Sequence, residues 1–400
     1  MSLDALAAAA LADDLGALAG ARVQRVVAVD ARTLSFELYA GQRHHLTLSA
    51  APDHPGIALA AAPARRGAGA GGPLALACRA RLEGARLTGV SQPPYERILR
   101  FDWQAAAPLT LVAELTGRLA NLILVDADGA VIAAAHRVVA EQTRARTIQP
   151  GRPYAPPPTP PRPPAATATA ADLAAWLAAR PDAPAWRCLV DAARGLGPQS
   201  AREAVHRAAG DAEAPARRTD AEALRRALAE LTAPLATHAW TPTVAWRRGV
   251  PEDVVAWAPY ALSHRAGDDV EVTPAASTLE AVSRWHAARA GADGYGAARA
   301  AVGRQLAEAA GRAARRRAAL ERALAAADPD AVEALKLAGD LILGFQWQVR
   351  PGDTTLVAPT EPPTPIALDP SRTPVENAQA YFDRYRRARR AAARVPDQLA

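Results

Sequence analysis

The chain has 400 residues, enough for two or three domains that each bury a core. Half of it is hydrophobic and only 5% aromatic, with Lys336 the single lysine beside many arginines. The net charge of +6 and pI of about 9.8 suit a polyanionic partner without requiring one. No run of about 18 apolar residues offers a membrane span.

The opening MSLDALAAAALADDLG carries Asp4, Asp13 and Asp14 and no basic stretch, so it reads as a helix and not a signal peptide. Strands follow at 23–29, 34–39 and 44–49, then a helix over 74–82 that stops at Gly84. Cys78 in that helix and Cys188 far downstream form no CxxC, and reduced, buried thiols are expected. Four more strands are predicted at 85–90, 97–103, 109–115 and 121–133. Leu109, Leu111, Ala113 and Leu115 keep the period of two of a half-buried strand. At the junction before Leu122, Gly117-Arg118 puts a conformationally free backbone beside a guanidinium. This is either a β-bulge with a solvated arginine or a contact site.

PGRPYAPPPTPPRPP (150–164) reads as an extended linker. A helical segment runs on to about residue 235. Within it LVDAARGLGPQSAREAVHRAAG (189–210) is helix, Gly195-Leu196-Gly197-Pro198, helix. Pro198 suits a first helical turn and Gly197 the cap before it. This is the layout of a helix-hairpin-helix, whose N–H groups at Gly195, Gly197 and Ser200 could hold a phosphate, or of an ordinary helical hairpin.

From 277 to 324 the pattern is one long helix. Val302, Leu306, Ala310, Ala313, Leu320 and Leu324 make a weak coiled-coil seam. Residues 331–373 read as a compact module around Phe345-Gln346-Trp347. Thr373, Pro374 and Glu376 then form a capping box that starts a last helix with the stripe Tyr381, Tyr385, Ala388, Ala392 and Val395. The first of these helices holds nine arginines against four acids and the last six against three. The arms therefore exceed the charge of the whole chain, which favours phosphate-backbone binding over a merely solvated face.

Taken in order, RARLEGARL (79–87), PPYERILRF (93–101), ELTGRLANLILVD (114–126), RTIQPGRPYAPPP (146–158), the hairpin and LDPSRTPVENAQAYFDRYRRARR (368–390) resemble the NFACT family. These are the RqcH-type ribosome quality-control factors, some labelled fibronectin-binding proteins. The resemblance implies an α+β multidomain protein. Its expected parts are a mixed-sheet N-terminal domain like that of formamidopyrimidine glycosylases (1–160), a helix-hairpin-helix domain with a following extended segment (161–275), and an antiparallel coiled-coil arm (276–328 and 374–400) with a small tip module (329–373). It implies a cytoplasmic factor that binds stalled large ribosomal subunits carrying peptidyl-tRNA. There it recruits alanine-accepting tRNA for C-terminal alanine tailing, with no chemistry of its own, no cofactor, no metal and no membrane partner.

On the same resemblance, Glu96, Arg97, Gly117, Arg118, Asn121, Arg79 and Arg81 would meet tRNA, with Glu96 orienting Arg97 or accepting from a 2′-hydroxyl. Arg312, Arg315, Arg316, Arg386, Arg387 and Arg390 would meet the ribosome. A cross-strand salt-bridge network is the competing role for the Glu96 and Arg118 surface. Three departures from the family pattern stand out. Glu96 replaces an aspartate, Leu119-Ala120 replace His-Ser, and the chain ends where the family's second helix and an RNA-binding C-terminal domain would continue, so either a truncated form or a short, partly unpaired arm is expected.

The enzyme rival is a glycosylase-like DNA-repair protein. It lacks the nucleophilic proline after the initiator, where Ser2 stands. The third candidate is a surface adhesin, for which no export signal is found. No GxSxG, P-loop or HExxH occurs. His44-His45 point to opposite faces of a strand, and His136, His206, His264 and His286 show no ligand spacing.

Overall fold

The computed structural model describes residues 3–399 apart from 53–54, 61, 65–70, 140–145 and 326–327, with no side chains described at 251–252, 290–305, 323–325 and 391–399. Ser2, and the seam positions Val302, Leu324, Ala392 and Val395, lie outside the described residues and side chains. The chain forms two compact units, Met1–Asp293 and Gly294–Ala400.

The first unit opens with α1 (Ala5–Gly16), followed by β1 (Arg22–Ala28), β2 (Thr33–Ala40), β3 (Gln42–Ser49), β4 (Gly56–Ala60) and α2 (Pro73–Leu82). Then come β5 (Arg86–Ser91), β6 (Ile98–Gln104), β7 (Leu109–Glu114), β8 (Asn121–Val125) and β9 (Val131–Ala134). The nine strands make one sheet in the order β4-β3-β2-β1-β5-β6-β7-β8-β9. Every pairing in it is antiparallel, so the expected mixed sheet is corrected. Two antiparallel meanders, β1–β4 and β5–β9, supply the strands, and the long link through α2 carries the chain from β4 back past β3 and β2 to β5, which pairs antiparallel with β1. Leu109, Leu111, Ala113 and Leu115 enter the main core with α1 and α2, while Val112 on the opposite face joins Ile98, Ile123 and Ile148 in a second cluster. The period of two read from the sequence is the burial of β7.

Residues 150–164 run without regular structure but are pinned at Pro153 and Pro164 by bridges to Ala130 and Arg194. Helices α3 (Ala170–Ala178), α4 (Ala185–Ala192), α5 (Pro198–Ala209), α6 (Ala221–Thr232) and α7 (Pro234–Thr237) follow. Gly197 caps α5 and Pro198 opens it, as the sequence predicts. The expected extended segment is in fact a three-stranded antiparallel sheet, β11-β10-β12, built from β10 (Thr243–Arg247), β11 (Val250–Ala258) and β12 (Val270–Pro274). Its alternate residues divide between two cores. Val244, Val254 and Trp257 join the sheet core, and Ala245, Ala256 and Ala258 join the helical one.

Helix α8 (Thr278–Ala325) starts in the first unit, where the Leu279 N–H donates to Asp14 Oδ2 (2.7 Å) and Trp285 is buried. In the second unit Leu306 is 65% exposed, and Ala310 and Ala313 are exposed too. Leu320, the other described seam position of α8, is half-buried, and on the last helix Tyr381 and Tyr385 are half-buried and Ala388 is buried. The described partner of α10 (Pro374–Leu399) is α9 (Pro329–Gly344), met where a Cβ on Gly339 would stand 2.8 Å from the Phe382 ring. Ile342, Leu356, Ala358, Ile366, Leu368 and Ala378 form the small core between these helices and the hairpin of β13 (Thr355–Ala358) and β14 (Thr364–Ala367). The capping box is present. The Thr373 N–H donates to Glu376 Oε2 (2.8 Å), and the Glu376 N–H donates to Thr373 Oγ1 (3.2 Å).

Candidate nucleic-acid interface

Ile98 at the start of β6 lies opposite Glu114 at the end of β7, and the Leu115 N–H donates to the Arg97 carbonyl (2.8 Å). Arg97 and the single 3-10 turn Gly117–Leu119 therefore share one end of the sheet. Gly117 has φ +62° with nothing within 4 Å of a Cβ built on it. The glycine answers a left-handed backbone need. Arg97, Arg118 and Leu119 are exposed, Leu119 by 78%. Among the described residues no carboxylate lies within ion-pair reach of either arginine.

Asn121 is the correction at this junction. It is 2% exposed, its Nδ2 donates to the His136 carbonyl (2.8 Å) and its Oδ1 accepts from the His136 N–H (2.9 Å), so it cannot reach a ligand. Beside it, buried Glu114 accepts two bonds from Arg146 (2.6 Å each) and one from the Tyr154 hydroxyl (2.9 Å). Burial and the Glu114 carboxylate push the Tyr154 phenol up from its ordinary value. The closing stretch RTIQPGRPY is thus bolted to β7 through its first and last residues.

Next to Arg97 opens a cleft of about 260 Å³, lined by Tyr95, Glu96, Pro160, Arg162, Val190 and the hairpin residues 193–198. Three guanidiniums, Arg97, Arg162 and Arg194, border it with half-buried Glu96 as their counter-charge. Glu96 does not orient Arg97, as expected from the resemblance. Its Oε1 accepts from Thr159 Oγ1 (2.9 Å) and stands 3.7 Å from Arg194 Nη1. Arg194 lies 5.6 Å from the centre of the Tyr95 ring, and its backbone is tied to Pro163 and Ala165. The sheet end and the helical hairpin, far apart in sequence, meet at this cleft.

The phosphate seat expected at the hairpin is filled from within. Asp4 Oδ2 accepts from the Gly197 N–H (3.0 Å) and from the Ser200 hydroxyl, while Oδ1 caps α1 through the Ala7 N–H (3.0 Å). Ser200 is 1% exposed and also bonded to the Tyr260 hydroxyl (2.8 Å). The N-terminus of α5 already holds an anion, the chain's own carboxylate. Gly195, at φ +96°, accepts from the Ala5 N–H (3.2 Å) and rests against Tyr95. Gly195, Gly197 and Ser200 therefore join domains, and the hairpin offers its side to the cleft instead of its N–H groups.

On α2, Arg79 Nε donates to the Val26 carbonyl (3.0 Å) and Glu83 accepts from the Val26 N–H (2.9 Å), so this pair docks the helix on β1. Arg81 is exposed. In the second unit Arg312, Arg315, Arg316, Arg386, Arg387 and Arg390 are all exposed. Arg312 stands 3.8 Å from Glu308, Arg386 pairs with Asp383, and Arg387 Nε donates to the Asp383 carbonyl (3.2 Å). Among the described residues no cluster of His, Cys, Asp or Glu could hold a metal ion, and no helix is long and apolar enough to cross a membrane. The residues that sequence reading missed are Asp4, Tyr95, Thr159, Arg162 and Arg194. The hairpin motif itself contains Arg194, but nothing local foretells its aromatic and acidic neighbours.

A large antiparallel sheet, a helical hairpin against its end and a long basic helix define an α+β protein of multidomain build. The chain belongs to the NFACT family: the family model for the NFACT N-terminal and middle domains matches residues 4–400. The Rqc2 homolog RqcH of Bacillus subtilis (strain 168) is 25% identical over 333 residues, covering 80% of this chain. The chain spans 55% of that relative's length. Two solved structures share the fold. The fibrinogen binding protein from Staphylococcus aureus has a TM-score of 0.56 at 21% identity, covering 71% of this chain and 99% of that one. The N-terminal part of the fibronectin/fibrinogen-binding protein from Streptococcus suis has 0.54 at 20%, with the same coverage.

Proposed function

We propose that the chain is a tRNA- and ribosome-binding factor of ribosome quality control. It recruits alanine-accepting tRNA to stalled large subunits that retain peptidyl-tRNA, and so directs C-terminal alanine tailing. The ribosome makes the peptide bonds, and this chain binds and positions. The observation that carries the reading is the meeting of exposed Arg97 with Arg162 and Arg194 at one cleft beside the Gly117-Arg118 turn, in a chain of the NFACT family. Planar cations at a concave edge contact phosphates and ribose, and they hold a folded RNA by shape and charge. The exposed arginines of α8 and α10 are the ribosome-facing arm.

The test is to recover the protein from cells and sequence its bound RNA. Enrichment of alanine tRNA together with large-subunit rRNA is expected. Recovery of DNA, or of no nucleic acid, would refute the reading.

A further inference from the structure

A second concavity, of about 300 Å³, also has Tyr95 in its lining. Ala9, Ala12, Val90, Pro94 and Leu235 give it apolar walls, and Asp13, Ser91, Gln92, His238 and Trp240 complete it. Its size and its few polar groups on an apolar ground are those of a small-ligand pocket. Among the described residues two non-glycine positions have positive φ, Tyr95 (+62°) and His238 (+56°), and both line this pocket. Bulky residues held in the left-handed region gather at ligand clamps, where surrounding structure imposes the strain.

Two of the polar groups, Asp13 and Gln92, present open acceptors. Asp13 Oδ2 accepts from Trp240 Nε1 (2.6 Å) and from His238 Nδ1 (2.9 Å), and no described residue bonds its Oδ1. The Gln92 amide donates both its hydrogens inward, to the carbonyls of Ala5 (2.8 Å) and Glu96 (2.7 Å), which turns its Oε1 into the open group. An indole and a phenol border an acceptor-rich pocket. That combination fits a flat heterocycle carrying an amino group.

We infer that this pocket takes one unstacked, amino-bearing base (adenine, cytosine or guanine) of the RNA whose backbone lies in the arginine cleft. Tyr95 lines both cavities, so one nucleotide can place its phosphate in the arginine cleft and its base in the second pocket. The inference rests on the RNA-binding reading above. Uracil has the single N3–H donor between two carbonyls and no amine, so it can bond only one of the two acceptors, Asp13 and Gln92, and is disfavoured.

The experiment measures binding of equal-length oligo-A, oligo-C and oligo-U to the full chain and to Asp13→Asn, Ala9→Leu and Arg97→Ala variants, with thermal melting to establish folding. The wild type should hold oligo-A and oligo-C about tenfold more tightly than oligo-U, the size of one hydrogen bond to a charged group. Asp13→Asn should reduce that preference to about twofold. Ala9→Leu, which fills the pocket from the preceding turn of α1 and leaves both Asp13 oxygens in place, should do the same if the first variant melts early. Arg97→Ala should weaken all three alike. Equal binding of the three by wild type, or a preference that survives both pocket variants, overturns the pocket while the Arg97 effect still upholds RNA binding. Displacement by free arginine but not by cytidine assigns the pocket to a peptide cation and overturns it too. Failure of every RNA to bind removes both readings.

Discussion

Asp4→Ala is the substitution whose cost the structure lets us work out most fully. The carboxylate is 7% exposed and accepts from the N–H groups of Ala7 and Gly197 and from the Ser200 hydroxyl. Losing the α1 cap costs about 1 kcal/mol. A buried N–H left without a partner at Gly197 costs about 1–3 kcal/mol more. Ser200 keeps Tyr260, so its share lies near the bottom of that range. The sum is about 3–5 kcal/mol, which at roughly 2–4 °C per kcal/mol for a large domain lowers the melting temperature by about 6–20 °C. Asp4→Asn, which keeps one acceptor, should cost about half as much. Urea and thermal unfolding would measure both. A loss below about 0.5 kcal/mol for Asp4→Ala would refute the double-capping argument. A gain in RNA affinity for the same variant would show that the α5 N-terminus seats phosphate once its internal anion is gone.

Arg97→Ala and Arg118→Ala should each weaken tRNA binding and lower the salt dependence by about one counterion, read by filter binding across a salt series, with stability unchanged within about 0.5 kcal/mol. Glu114→Ala should destabilise by about 3–5 kcal/mol in urea unfolding, because it strands the Arg146 guanidinium in a largely buried site. Burial alone would raise the Glu203 carboxyl, but hydrogen bonds from His264, Ser263 and Arg207 outweigh it and hold the group down at about 2 from an ordinary 4.5. Its stabilisation is therefore complete above pH 4.5 and is lost as the pH falls towards 2, on the order of 3 kcal/mol. Glu203→Gln should flatten that part of a pH-stability profile.

What could be read in advance followed the strength of the local signal. The β7 alternation, the Gly197-Pro198 start and the Thr373 box all rest on neighbours a few residues apart, and all three stand in the structure. The three-stranded sheet escaped because the positions it buries in the helical core, Ala245, Ala256 and Ala258, are alanines and its β10–β11 turn is Arg-Arg-Gly, which together read as a polar extended stretch. Asn121 and Ser200 were taken for contacts because polar residues in a motif look available. Their partners, His136 and Asp4, are 15 and 196 residues away. The cleft was half legible, since Glu96-Arg97 and the hairpin were singled out separately. That Arg162 and Arg194 complete it depends on where the proline stretch is pinned, which no spacing rule foretells.

The small sheet of β10, β11 and β12 has a practical consequence. It is a party wall: the apolar side chains of one strand close two rooms at once, and the root of α8 shuts the first of them with Leu279, Val282 and Trp285. A fragment cut after the proline stretch would lose that masonry and expose an oily face, so it should precipitate on expression. The shortest soluble piece containing the nine-stranded sheet should have to run past Trp285.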